Sequence, residues 1–237
     1  YEYRPENSYK GVKAFREIID KYAPQIQLRQ GENGAPSRGH MGGALDNYDW
    51  TELSQAKWDL RRLAGDHGHD VESSVFSIID MAYPTGNNKY VAKLNVKGLI
   101  QSDMSKKVMR PKLAFKAVQH YASLFDYWGH RQAGAPFECE GSKDDYAHYL
   151  YEDGKGTYSF LIWKQIEAPL NENRMEYLDL SIGQARFSQP IWIDLISGWI
   201  YEIPASMYEV KEDRYVFHDV PVYDAPIVIT DKSILAQ

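Results

Sequence analysis

The sequence predicts two regions of different class, an α/β region followed by an all-β region. Three observations carry this reading. Residues 1–130 alternate helix-period apolar stripes with short strand-length runs. Beyond Pro136 the period changes from helical to alternating. There, turn signals recur between short runs, at Asn171-Glu172-Asn173, Ile196-Ser197-Gly198 and Lys211-Glu212-Asp213, the spacing of an antiparallel sandwich. Ala133-Gly134-Ala135-Pro136 reads as the linker, so the two domains are expected at 1–130 and 136–237.

Composition narrows the function classes. The net charge is −6 and no run of Lys and Arg forms a basic stripe, so nucleic acid and anionic membrane are not expected partners. No apolar run approaches the roughly 18 residues of a membrane span. Cys139 is the only cysteine, which excludes an internal disulfide. Tyr1-Glu2-Tyr3-Arg4-Pro5 is no signal peptide and has no initiator Met, so an upstream segment is expected. The 18 Tyr, 8 Phe and 6 Trp offer flat faces that suit sugar clefts, although any single ring is more often core.

In order, the chain opens with a helix over 7–22, with Ser8 at its start and Val12, Phe15, Ile18, Ile19 and Tyr22 as one apolar stripe. Ala23-Pro24 ends it. Ile26 to Leu28 is a short strand that breaks into Gly31, Glu32, Asn33, Gly34 and Pro36. Residues 38–48 form a Gly-rich loop with His40 and Tyr48, either a pocket wall or a plain connection. A helix follows to His67, with Asp49 and Glu52 as its capping box and Leu53, Ala56, Leu60, Leu63 and Ala64 as the buried stripe. Lys57, Arg61 and Arg62 are expected to face water or neighbouring charges, and Gly68 suits the C′ position. His67 and His69 sit at that helix end without a wider ligand cluster, so no metal is expected.

Val75 to Met81 suits a strand buried on both faces, with Asp80 at its carboxyl end and Tyr83 just beyond. Thr85 to Lys93 reads as exposed loop, and Arg110 to Phe125 as a helix with Pro111 in its first turn. In the second region, 146–151 and 157–164 form a hairpin. Strands are also expected at 176–182, 191–194, 199–203, 214–220 and 227–230.

Glu32 lies where a strand ends between two helices, the place where α/β enzymes put a nucleophile or general acid/base. The bland alternative is a solvated loop acid. Arg29, three residues earlier, faces the other side of a strand.

The segment Leu28-Arg29-Gln30-Gly31-Glu32-Asn33-Gly34-Ala35-Pro36-Ser37 resembles the end of barrel strand seven in clan A glycoside hydrolases. The resemblance implies the C-terminal part of a (β/α)8 TIM barrel followed by an antiparallel β-sandwich. Residues 50–67 then correspond to helix seven, 74–81 to strand eight and 110–125 to helix eight. It also implies a retaining mechanism on an oligo- or polysaccharide, with Glu32 as nucleophile and no cofactor. Arg29, Asn33, His40, Asp80 and Tyr83 are the residues it places at the substrate. Retaining enzymes need a second carboxyl group about 5–5.5 Å from the first. In this clan that group is a Glu after Asn, and Asn171-Glu172 lies too far along to serve. The acid/base is therefore expected upstream of Tyr1, in the first half of the barrel, on the same polypeptide or a separate one. A secreted or periplasmic setting is expected with it.

Two other classes compete. A noncatalytic carbohydrate-binding or structural module would have no need for a helix-flanked strand ending in Gly-Glu-Asn-Gly. An ester hydrolase would need Gly-x-Ser-x-Gly, which is absent.

Overall fold

The computed structural model describes residues 3–39, 44–45, 47–85, 88–125 and 129–236. The chain is mixed helix and sheet, and divides into two compact units, 1–118 with 167–172, and 119–166 with 173–237.

The first unit begins with a 3-10 turn, Pro5–Ser8, and α1, Tyr9–Tyr22. Only Tyr9 and Ile19 of α1 are buried. Of its expected core stripe, Phe15, Ile18 and Tyr22 instead face out, at 57%, 54% and 72% exposed. The strand expected at 26–28 forms later, as β1, Arg29–Asn33. Pairing decides this. The ladder with β2, Glu72–Val75, joins Arg29 to Glu72 and Gln30 to Ser73, and nothing in the apolarity of Ile26 to Leu28 fixes that register.

Between them α2, Glu52–Gly68, completes a parallel β–α–β crossover. Its N-cap is Thr51, whose hydroxyl accepts from Ser54 N at 3.3 Å while Ser54 Oγ accepts from Thr51 N at 2.9 Å. Asp49 and Glu52 are not the box. Glu52 instead binds the Arg110 guanidinium, and its carboxyl is held below the usual range chiefly by that bond. Of the two settings expected for Lys57, Arg61 and Arg62, water and neighbouring charges, the two arginines meet charges. All three are buried. Lys57 Nζ donates to Glu172 O at 2.7 Å, Arg61 clasps Glu6 at 2.8 and 2.5 Å, and Arg62 reaches Asp66 at 3.1 Å. His69 stacks on Tyr9 with centroids 4.3 Å apart.

After β2 the chain runs irregularly through a cis Phe76–Ser77 peptide, and Ile79 bridges Ile100. The segment expected as loop, Thr85 to Lys93, falls within a hairpin of β3, Met81–Thr85, and β4, Asn88–Asn95. A second hairpin pairs β5, Ile100–Ser102, with β6, Val108–Pro111. Pro111 thus closes a strand, and α3 spans Leu113–Phe125. Among the described residues β1 and β2 form a two-stranded sheet, and no closed barrel is seen.

The second unit holds β7, His130–Arg131; β8, Phe137–Cys139; β9, Tyr146–Glu152; and β10, Tyr158–Lys164. It continues with β11, Glu176–Gly183; β12, Pro190–Asp194; β13, Ile200–Glu202; β14, Tyr208–Lys211; β15, Arg214–Val222; and β16, Ile227–Asp231. They form two antiparallel sheets, ordered β13-β12-β16-β10-β9-β7 and β14-β15-β11-β8. Phe137 of the second sheet meets Phe160 of the first at 5.2 Å. Trp163 and Trp192 are buried, whereas Trp199 is 65% exposed.

Candidate active site around Glu32

The register of β1 against β2 slips between Gln30 and Asn33, so Gly31 and Glu32 together oppose Ser74. An extra residue in one strand bends it and re-aims its side chains. Ser74 Oγ donates into this bulge, 3.3 Å from Gln30 O and 3.2 Å from Gly31 O. Glu32 is exposed at this point, and the next residue, Asn33, is buried.

The exit from β1 is closely held. Phe76 N donates to Asn33 O at 2.5 Å. A side chain on Gly34 would lie 2.0 Å from Phe76 O, so only glycine lets the two backbones approach this way. Ala35 N donates to Asp59 Oδ1 at 3.2 Å, and Ser37 N to Val96 O at 3.1 Å. Lys112 Nζ then ties three segments together, reaching Ser37 Oγ at 2.9 Å, Asp80 Oδ1 at 2.6 Å and Val96 O at 3.0 Å.

The other expected site residues lie at different depths. Arg29 is exposed and within 4.0 Å of Glu72. Asn33 is buried, with Nδ2 donating to Ser73 Oγ at 2.9 Å. Asp80 is buried too. Its Oδ1 accepts from Lys112 and, at 3.0 Å, from Gly98 N. Tyr83 stands on β3, 42% exposed. His40 falls outside the described residues.

The polar face of α2 went unread in the sequence. Gln55, Asp59, Arg62 and Asp66 recur at spacings of four, three and four residues and share one side of the helix. That spacing was the available signal. All four are buried. Asn33 Oδ1, Gln55 Oε1 and Asp59 Oδ2 are enclosed with no hydrogen-bond partner among the described residues. Burial pushes the Asp59 carboxyl up to about 8, against the pull of Ala35 N–H, Lys112 and Lys97. Burial likewise lowers both Lys97 and Lys112.

No family model matches the chain. No curated protein matches it either. Solved structures do. The endo-beta1,6-glucanase BT3312 is 13% identical with a TM-score of 0.43, covering 92% of this chain and 37% of that one. The GH51 arabinofuranosidase from Xanthomonas axonopodis pv. citri is 9% identical with a TM-score of 0.48, covering 95% and 45%. Both are glycoside hydrolases. This chain spans less than half the length of either.

Proposed function

We propose that this chain carries the nucleophile of a retaining glycoside hydrolase, and that Glu32 is that nucleophile. The observation that carries the reading is the parallel β1–α2–β2 crossover with a bulge at Gly31 and Glu32. A carboxylate there is exposed at the carboxyl end of a strand, where α/β enzymes collect their chemistry. The motif around Glu32 resembles the nucleophile strand of clan A enzymes, which supports the same reading. Glu32 attacks the anomeric carbon, and a second carboxyl group protonates the leaving oxygen and then activates water. Among the described residues Arg29 and Tyr83, both exposed, are the candidates for substrate contact in this reading, whereas Asn33 and Asp80 are buried. The carboxylic acid/base comes from further barrel strands outside these 237 residues.

Two features support further strands. A two-stranded parallel sheet is rare alone, because parallel strands are normally buried on both faces. The apolar face of α1 also has Phe15, Ile18 and Tyr22 exposed. In this reading those surfaces are covered by the rest of the barrel, and the 119–237 region is a β-sandwich that accompanies it.

The test is covalent trapping in the intact protein. A panel of 2-deoxy-2-fluoro glycosyl fluorides should leave one glycosyl adduct, located by mass spectrometry on the peptide holding Glu32. Glu32→Gln should abolish the adduct and lower turnover by several orders of magnitude. An adduct on another carboxylate, or near-normal turnover by the variant, overturns the assignment.

A further inference from the structure

Three loops gather at one end of the second unit: the 153–157 turn between β9 and β10, the 184–189 loop between β11 and β12, and the segment after β16. They border a cleft of about 910 Å³, the size of a small-ligand site, whose wall carries three cations, Lys155, Arg186 and Lys232. In a chain of net charge −6 this is a local reversal of sign. Asp231, the acid in that wall, is already engaged. Its carboxylate accepts from Ser188 N at 2.6 Å, Gln189 N at 2.9 Å and Ser233 N at 3.0 Å, which pins two of the loops to the end of β16. The third loop is held by its own acids. Asp153 Oδ1 accepts from Lys155 N at 2.8 Å and Thr157 N at 2.9 Å, and Glu152 Oε1 from Gly156 N at 2.9 Å. Lys232 pairs with Glu202. Lys155 and Arg186 are exposed and make no ion pair among the described residues. Two uncompensated cations thus stand on backbone that is already fixed, so little ordering is left for a bound anion to impose.

Arg186 and Gly156 also line a neighbouring cleft of about 690 Å³, whose wall includes Tyr158 and Tyr215, both half-buried. Glu212 and Asp213 lie in that second wall, so an anion is favoured on the Lys155 side and disfavoured on the tyrosine side. The two clefts therefore differ in chemistry and share a guanidinium. The planar fork of Arg matches a carboxylate. A tyrosine ring offers an apolar face with a polar edge, which suits a sugar ring better than a second charge. We propose that this pair of clefts binds an acidic saccharide, with Arg186 and Lys155 on a uronate carboxylate and the tyrosine side holding the adjoining sugar. The site lies wholly in the second unit and does not depend on the role of Glu32.

The test is calorimetric titration of the intact protein with trimers of glucuronate, galacturonate, mannuronate and guluronate. At least one should bind, and its affinity should fall as salt rises. The methyl ester of that trimer, which keeps the sugar and removes the charge, should bind about tenfold more weakly or worse, the loss expected for a charge-assisted hydrogen bond. Arg186→Gln should cause a similar loss, and Arg186→Lys a smaller one, because it keeps the charge without the fork. Lys155→Gln should weaken binding further when added to Arg186→Gln. Both residues are exposed, so the variants should melt with the wild type, which separates lost binding from lost fold. No binding of any of the four trimers at millimolar concentration overturns the proposal. So does equal affinity for the ester, or an unchanged affinity in the double variant, which would place the sugar elsewhere on the protein. Triglutamate bound as tightly as the best uronate would show a site for acidic peptides and overturn the saccharide assignment.

Discussion

Asp59 shows how one buried carboxyl group can set the pH response of a whole fold. Its ordinary value is 3.8, and burial raises it to about 8. Between those values the native state keeps a proton that the unfolded chain has released. Stability must therefore fall as pH rises through that window, by up to about 1.4 kcal/mol per pH unit, and level off above it. Below the window the carboxyl is protonated in both states and contributes nothing. Asp59→Asn keeps an oxygen for Ala35 N–H but cannot ionise. Thermal melts should show the variant gaining on the wild type from pH 5 to pH 8. An equal difference at both pH values would mean that Asp59 is ionised in the native state. In the sequence the spacing of Asp59 with Gln55, Arg62 and Asp66 marks one helix face, but a solvated face would show the same spacing.

At the scale of elements, α2 was legible as a helix, misread at its start and left open on its polar face. The periodicity of Ala56, Leu60 and Ala64 is a local signal, and all three are buried. The cap depends on which residue turns into β conformation, and Thr51 does so at φ −127° and ψ 173°. Thr51→Ala should cost about 1 kcal/mol in urea unfolding, in the usual range for a lost cap. Asp49→Ala should cost far less, and the reverse order would restore Asp49 as the cap. For Lys57, Arg61 and Arg62 the sequence left water and neighbouring charges both open, because a buried polar helix face has the same spacing as a solvated one. Only the partners, Glu172, Glu6 and Asp66, reveal which it is.

The bulge was hidden for a related reason. It exists only against Ser74, on a strand more than forty residues away. What the sequence did hold was the company of Gly31, Glu32 and Gly34. Gly34→Ala would push a methyl group into Phe76 O. The expected cost is about 1–3 kcal/mol, as for other overpacked sites. A Gly34→Ala protein with wild-type stability would show that the two backbones part freely.

Across the whole molecule, the change from helix-and-strand to strand-only patterning was readable, and the antiparallel pairing of β9 with β10 follows the expected hairpin. The order of strands within each sheet was not, because β16 inserts between β10 and β12 from the far end of the chain. The sharpest mismatch concerns α1. Its apolar spacing is that of a helix packed on a core, yet Phe15, Ile18 and Tyr22 are exposed, and so is Ile26 at 51%. Single exposed apolar residues need no explanation, but a row on one helix face marks a surface that another element covers. If further barrel strands cover it, the same substitutions must act in opposite directions in two contexts. In the isolated 237-residue chain, replacing Phe15, Ile18 and Tyr22 by Ser should raise solubility and lower binding of a hydrophobic dye, with the melting point nearly unchanged. In the intact protein, the three changes should lower the melting point, because each removes a buried side chain worth about 1.5–3 kcal/mol. Equal effects in both contexts would mean that the α1 face meets solvent throughout, and would remove one of the two supports for a shared barrel.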